Sequence, residues 1–329
     1  MTRNLILGSL AGAASAAFVL TAASGPLGFV LSYLAPLPLF FAGLTHGFPA
    51  AALAGAIGTL ISTVNGLQAA GIYLIIFALP VAVLVRQALL SRPAAEAGPQ
   101  SEVADGLEWY PAGRLLTLLV GWAIGLFVLA LLMAAGHEGG LPAALQPRIA
   151  EFLGALPPEA TQGATAEGID LTAVAAKLAK LIPAGFAVSW LAMMTINGTL
   201  AQGLAGMLKQ NRRPSPRYSA LFLPRFLAMA LIAALLAGFV LPGSPGFIGG
   251  TVAAILAFPY LLQGLAVVHG VAARTAMPGV VLAAFYAVLV VAGALGGILL
   301  LLVAILGLIE EWAGFRRRLA GTGPSQETD

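Results

Sequence analysis

Between Arg3 and Arg86 the chain runs for 82 consecutive residues without an Asp, Glu, Lys or Arg. Further charge-free runs occupy 115–137, 181–208, 226–273 and 275–309. Each is long enough to supply the ~20 apolar residues that carry a helix across a hydrocarbon core about 30 Å thick. Charged residues make up only 9% of the 329-residue chain, against roughly 25% in soluble domains, and that excludes a soluble globular fold. An unpaired backbone amide costs several kcal/mol in lipid, so such runs are either helices or strands of a closed barrel. They are continuously apolar and lack the alternation of barrel strands. The expected fold is therefore all-α, a polytopic membrane helical bundle.

Turn formers divide the first run. Spans are expected at residues 5–23, 28–45, 48–65 and 70–90, broken at Ser24-Gly25-Pro26, Thr45-His46-Gly47 and Asn65-Gly66. Ala22-Ala23-Ser24 also has the small residues of a signal-peptide cleavage site. However, the region before it holds one Arg and three more spans follow directly, so 5–23 is read as a span. The chain then divides into a four-helix half (1–90), a Pro/Gly/Ala-rich flexible surface loop (91–113) and a fifth span (114–136). An extracytoplasmic or interfacial segment (137–180), the C-terminal membrane helices (181–309) and a polar tail (310–329) complete it. Within 137–180, Asp170 is placed to cap a helix from Leu171, with Leu171, Val174, Leu178 and Leu181 on one apolar face and Lys177 and Lys180 off it. That helix either lies in the interface or runs into a sixth span at 184–208.

Lys and Arg in short loops set orientation. Lys209, Arg212, Arg213, Arg217 and Arg225 form a stretch with no acid, which is expected on the cytoplasmic side. Counting from it, Arg86, Arg92 and Arg114, the N-terminus with Arg3, and Arg274 all fall inside, while 137–180 and Pro242–Gly246 fall outside. The last run leaves two alternatives. As one tilted helix, 277–309 puts Arg316, Arg317 and Arg318 outside; bent at Gly293 to Gly297 into two short crossings, it keeps them inside. Nine spans is the working count, within a range of eight to ten.

Several chemistries lack their motifs. There is no Gly-rich Walker loop, no dinucleotide fingerprint and no His-Glu-x-x-His. The chain has no Cys, and His46, His137 and His269 are far apart in sequence. No catalytic residue, metal site or cofactor is expected, no nucleophile–base pair suggests an enzyme, and a net charge of +3 lodged in loop arginines does not point to nucleic acid. Six Gly-x-x-x-Gly pairs occur, about the number that 40 glycines produce by chance. They indicate close small-residue packing in general. The first span alone concentrates such residues, and Gly8, Gly12, Ala13 and Ala17 form a candidate face for docking another helix.

Polar side chains inside spans are costly and point to function by default. Asn65, Gln68, Asn197, Gln263 and His269 are the candidates for a solute pocket, with Gln202 beside them and Glu310-Glu311 one turn before the terminal arginines. Neutral amides with aromatics near the midplane suit an uncharged small solute. Pro36 and Pro38 in the second span and Pro259 in the eighth are expected to kink them and shape a cavity.

The run Ala35-Pro36-Leu37-Pro38-Leu39-Phe40-Phe41 with Gly43 and Gly47, and the Pro183 helix with Asn197 leading to Lys209–Arg213, together resemble the YybS-like bacterial membrane family. Gln263-Gly264-Leu265-Ala266 with His269, and Gly307-Leu308 with Glu310-Glu311-Trp312 and Phe315-Arg316-Arg317, add to the resemblance. It implies a bacterial inner membrane location and, for the N-terminal half, a likeness to the S components of energy-coupling-factor transporters. Those components capture vitamins or metal ions, take their ATPase from partner subunits, and dock through an Ala-x-x-x-Ala face like Ala13–Ala17. Two functions are expected on these grounds: a transport-type protein holding a small solute, with any ATPase in another subunit, or a non-transporting scaffold whose basic loops meet anionic lipid or a protein partner.

Overall fold

The computed structural model describes residues 2–94, 102–104, 106–156, 170–216, 218, 221–294, 297–316 and 318. It is helical as expected, and its contacts sort the chain into two compact units. One comprises Met1–Leu119 and Leu191–Leu223, the other Val120–Trp190 and Pro224–Asp329. The linear division of the sequence does not anticipate the return of 191–223 to the N-terminal half.

The first unit begins with α1 (Thr2–Leu20), α2 (Pro26–Tyr33), α3 (Pro36–His46) and α4 (Phe48–Ser62), which a 3₁₀ turn extends to Asn65. After it come α5 (Leu67–Tyr73), a π-helical turn (Leu74–Ala78) and α6 (Leu79–Ala88). Gly47 at φ 94° is both the end of α3 and the cap of α4, and Gly66 at φ 97° starts α5; side chains seldom adopt such angles. Pro36 interrupts the stretch Pro26–His46, as expected, by breaking it in two. It opens α3 after a turn at Leu34–Ala35, at the first helical position, where a missing N–H is harmless.

Small residues then set the packing. A Cβ on Gly12 would overlap the Ala54 carbonyl oxygen, and one on Gly8 would sit 3.2 Å from the Ala50 carbonyl oxygen. Gly55 meets Ala78 in the π-turn, and Gly58 leaves room for the Tyr73 hydroxyl, which donates to Ser15 at 2.7 Å.

The described residues within 91–113 include strands that the sequence reading does not anticipate. Strands β1 (Ser91–Pro93), β2 (Glu102–Ala104) and β3 (Leu107–Trp109) form an antiparallel sheet in the order β1-β3-β2. The Arg92–Glu108 ion pair and backbone bonds from Ala94 to Gly106 and from Tyr110 to Leu90 close it. Cross-strand pairing of this kind is invisible to a reading of composition, which registers only the Pro and Gly around it.

Beyond the sheet, α7 (Ala112–Met133) and the 37-residue α9 (Leu171–Met207) each contribute to both units. Between them lies α8 (Gly140–Gly154). The helix capped by Asp170 thus runs on into the sixth span without a break. Asp170 accepts the Thr172 backbone N–H at 2.8 Å. The buried side of its first turns is not the leucine face, however, but Ala175 and Ala179; Leu181 is 65% exposed. Among membrane helices the small residues permit the closest approach, and bulky apolar ones face outward.

The second unit continues with α10 (Arg225–Val240), α11 (Gly243–Ala272), α12 (Pro278–Ala294) and α13 (Ile298–Ala313). Helices α10 and α11 form a tight antiparallel pair, with Gly238 against Gly249 and Gly250. The last apolar run is two helices, separated at Gly297 (φ 76°). Arg316, just past α13, packs on Gly270 near the end of α11, and Arg225 at the start of α10 pairs with Glu311 at 3.6 Å. The two-helix alternative therefore holds, and Arg225, Arg274 and Arg316 share one end of the unit. Arg317 lies outside the described residues.

Six helical stretches among the described residues are long and apolar enough to span a membrane: Pro26–His46, Phe48–Asn65, Leu67–Ala88, Ala112–Met133, Leu171–Met207 and Gly243–Ala272. Leu5–Leu20, Arg225–Val240 and Pro278–Val291 are shorter apolar helices.

The absence of native cysteine makes the C-terminal topology directly testable. Single cysteines at Ala273→Cys and Arg318→Cys are expected to react with a membrane-impermeant maleimide from the same side; labelling from opposite sides would refute the hairpin. The Asp170 cap predicts a pH effect. The Thr172 N–H holds its carboxyl below the usual range, so its contribution is complete above the unfolded carboxylate value of ~3.9 and is lost as pH falls through the lowered folded value. Amide protection at Thr172 and Ala173 should fall over that acidic window in the native protein and stay level in Asp170→Asn, which caps without titrating.

Candidate functional site

A lone amide in lipid must find partners, and the position of each candidate follows from where they are. In the first unit Asn197 is fully buried, and its Nδ2 donates to the carbonyls of Tyr33 and Met193, both at 2.8 Å. This bond ties α9 to the end of α2, beside the close approach of Gly198 to the Phe40 ring. Its Oδ1 has no hydrogen-bond partner. Asn65 and Gln68, by contrast, lie exposed on the turn between α4 and α5. They belong to a helix connection and are not brought together with Asn197.

The expected docking face of α1 is partly occupied within the chain. Gly8 and Gly12 are buried against α4, and only Ala13, half-buried, and Ala17, exposed, remain outward. Close approach is what these glycines are for, and α4 already uses it.

At the basic end of the same unit Arg213 is buried. It donates to the Ala88 carbonyl at 3.1 Å, at the negative end of the α6 dipole, and lies 6.0 Å from the Trp109 ring centre. Gln202 Nε2 and Asn211 Nδ2 donate to the Arg213 carbonyl at 2.9 and 2.8 Å. Gln202 and Arg213 thus anchor the basic loop, while Arg86, Arg114, Lys209 and Arg212 stay exposed.

The second unit holds the densest polar arrangement inside an apolar helix pair. A Cβ on Gly264 would overlap the Val303 carbonyl oxygen and one on Gly307 the Tyr260 carbonyl oxygen, so the α11 and α13 backbones touch. Across this seam Gln263 Nε2 donates to the Gly307 carbonyl at 3.0 Å. Its Oε1 has no partner, nor has the Tyr260 hydroxyl, although Tyr260 is 0% and Gln263 1% exposed. Tyr260 and Gln263, three residues apart, share the α11 face turned to α13. On α13, Glu311 stands one turn after Gly307, on the same side of the helix.

Glu310 and Glu311 have separate partners. A carboxylate in the last turn of a helix opposes the dipole, but Gly314 (φ 59°) turns the chain back over Glu310. Its oxygens accept the Phe315 N–H at 2.7 Å, the Arg316 N–H at 3.2 Å and the Arg316 Nε–H at 2.9 Å, all buried or nearly so. Glu311 instead pairs with Arg225, which is 85% exposed.

His269 is half-buried in the same unit, its Nδ1 2.9 Å from the Leu265 carbonyl and its ring edge-on to Tyr286. Of the five pocket candidates, then, Gln263 and His269 lie in the second unit and Asn65, Gln68 and Asn197 in the first. Tyr260 is the functional candidate that sequence reasoning missed; the signal was its position three residues before Gln263 in a charge-free run. Among the described residues no group of three His, Asp or Glu is placed to hold a metal ion.

Breaking the Glu310–Arg316 pair is expected to leave a buried uncompensated charge. Arg316→Met alone should destabilise by about 3–5 kcal/mol, and pairing it with Glu310→Gln should recover much of the loss. Chemical unfolding in detergent micelles checks this, and additive losses would rule out the pairing.

Comparison with known families places the chain. The model of a family described as "Predicted membrane protein (DUF2232)" matches residues 13–310. No curated protein matches significantly, and no solved structure does either.

Proposed function

We propose, for a chain that belongs to the DUF2232 family of membrane proteins, that it binds a small solute within its helices and serves transport. It carries out no chemistry of its own, and any ATPase is supplied by another subunit. The observation that carries this reading is hydrogen-bonding capacity left over in the apolar interior: Asn197 Oδ1, Gln263 Oε1 and the Tyr260 hydroxyl are buried without partners. An unmet buried polar group costs about 1–3 kcal/mol, and within a membrane such groups mark ligand sites by default. In this reading the protein sits in a bacterial inner membrane with its N-terminus and its basic loops cytoplasmic. A coupling subunit would meet α1 at Ala13 and Ala17.

A second reading rests on the exposed cations Arg86, Arg114, Lys209 and Arg212 of the first unit. They suit a scaffold that meets anionic lipid or an acidic protein partner rather than nucleic acid, at ~1 kcal/mol per cation near a charged leaflet.

Native mass spectrometry of the protein released gently from its own membrane separates the two. A reproducible small-molecule adduct that weakens in Asn197→Ala or Tyr260→Phe is the expected result. Retained protein subunits with no adduct would replace solute binding with the scaffold.

A further inference from the structure

We infer that the α11–α13 seam is a binding site for a small cationic amine, recognised by Tyr260, Gln263 and Glu311. The inference rests on the solute-binding reading and names the chemical class that the seam takes.

The seam is rich in acceptors. Gln263 donates one of its two amide N–H groups to Gly307, and its Oε1, an acceptor, is left buried without a partner. The Tyr260 hydroxyl both accepts and donates, and it is buried without a partner. Pro259, lacking an N–H, withholds a donor from the Ile255 carbonyl one turn earlier in α11. A ligand that satisfies this set must bring donors.

Charge narrows the class further. The Glu311 side chain is 10% exposed, and a carboxylate that buried requires a cation. Arg316 is committed to Glu310 through its Nε and its backbone N–H. Arg225 pairs with it from an 85% exposed position at 3.6 Å, longer than a hydrogen bond. An ammonium group in the seam would neutralise Glu311 at closer range and donate to Tyr260 and Gln263. The same charge disfavours an anionic ligand. The Gly264 and Gly307 backbone contact lies beside these groups.

A thermal-unfolding titration of the full-length protein in detergent tests the inference. Butylammonium and ethanolamine chlorides are compared with sodium butyrate, butanol and ionic-strength-matched NaCl. The amines are expected to raise the midpoint in a saturable way. Loss of a charge-assisted hydrogen bond should weaken their apparent affinity about tenfold or more in Glu311→Gln and less in Tyr260→Phe. Arg225→Gln removes the cation that competes for Glu311 and should strengthen the response, which guards against a Glu311 variant that folds poorly. Amine shifts that NaCl reproduces, or that Glu311→Gln and Arg225→Gln both leave unchanged, overturn the inference. A specific shift with butanol or butyrate alone also overturns it but leaves solute binding standing. No shift with any probe, together with no adduct in native mass spectrometry, overturns both. If Tyr260→Phe stabilises the protein while amines do nothing, the seam holds a structural water.

Discussion

Lipid gives two apolar helices no reason to prefer one another over acyl chains, so this fold depends on how closely backbones approach. Gly12 against Ala54, Gly238 against Gly250, and Gly264 and Gly307 against the backbones of α13 and α11 are the places where that approach is made. Each is a contact that a single methyl group would disturb. Dispersion over many such atoms replaces the hydrophobic driving force that soluble bundles use. It also explains why Ala175 and Ala179 line the buried side of the first turns of α9 while Leu181 and Phe186 are exposed.

Close packing of backbones leaves little space for polar side chains, which are accordingly few and specific. Asn197 and Gln263 each donate to a carbonyl on another helix, so each fixes a register that small residues alone leave free to slide. Several charges act at the ends of helices. Arg213 caps α6, Asp170 caps α9, and Glu310 gathers the donors of the turn that ends α13. These caps define where each helix stops and so which residues remain within its apolar stretch.

Much of this was legible in the sequence because charge is costly in hydrocarbon. The charge-free runs mark the helices, and the turns at Gly47 and Gly66 fall where Gly and Asn interrupt them. What escaped had causes that single positions do not carry. The sheet at 91–109 depends on pairing between strands separated in sequence, as in the match of Arg92 with Glu108. The burial of Gly8 and Gly12 depends on α4, so a face that reads as open is already filled. Asn65 and Gln68 look like buried intramembrane amides when counted along the chain, yet they lie exposed at the connection between α4 and α5. Charge counting kept two C-terminal topologies open, and the Glu311–Arg225 and Arg316–Gly270 contacts decide between them.

The same physics bears on where function resides. A register bond needs only one donor and one acceptor, and Gln263 meets that need with its Nε2 and the Gly307 carbonyl. A leucine with a slightly shifted seam would hold two helices nearly as well, since interhelical hydrogen bonds in membranes average only ~0.6 kcal/mol. Retaining an amide whose oxygen has no partner, beside a buried tyrosine hydroxyl in the same condition, opposes stability. Glu311 adds a carboxylate that an exposed arginine balances weakly. Three groups that each lower stability, placed on facing sides of one seam, make sense together as a site whose missing donors arrive with a ligand.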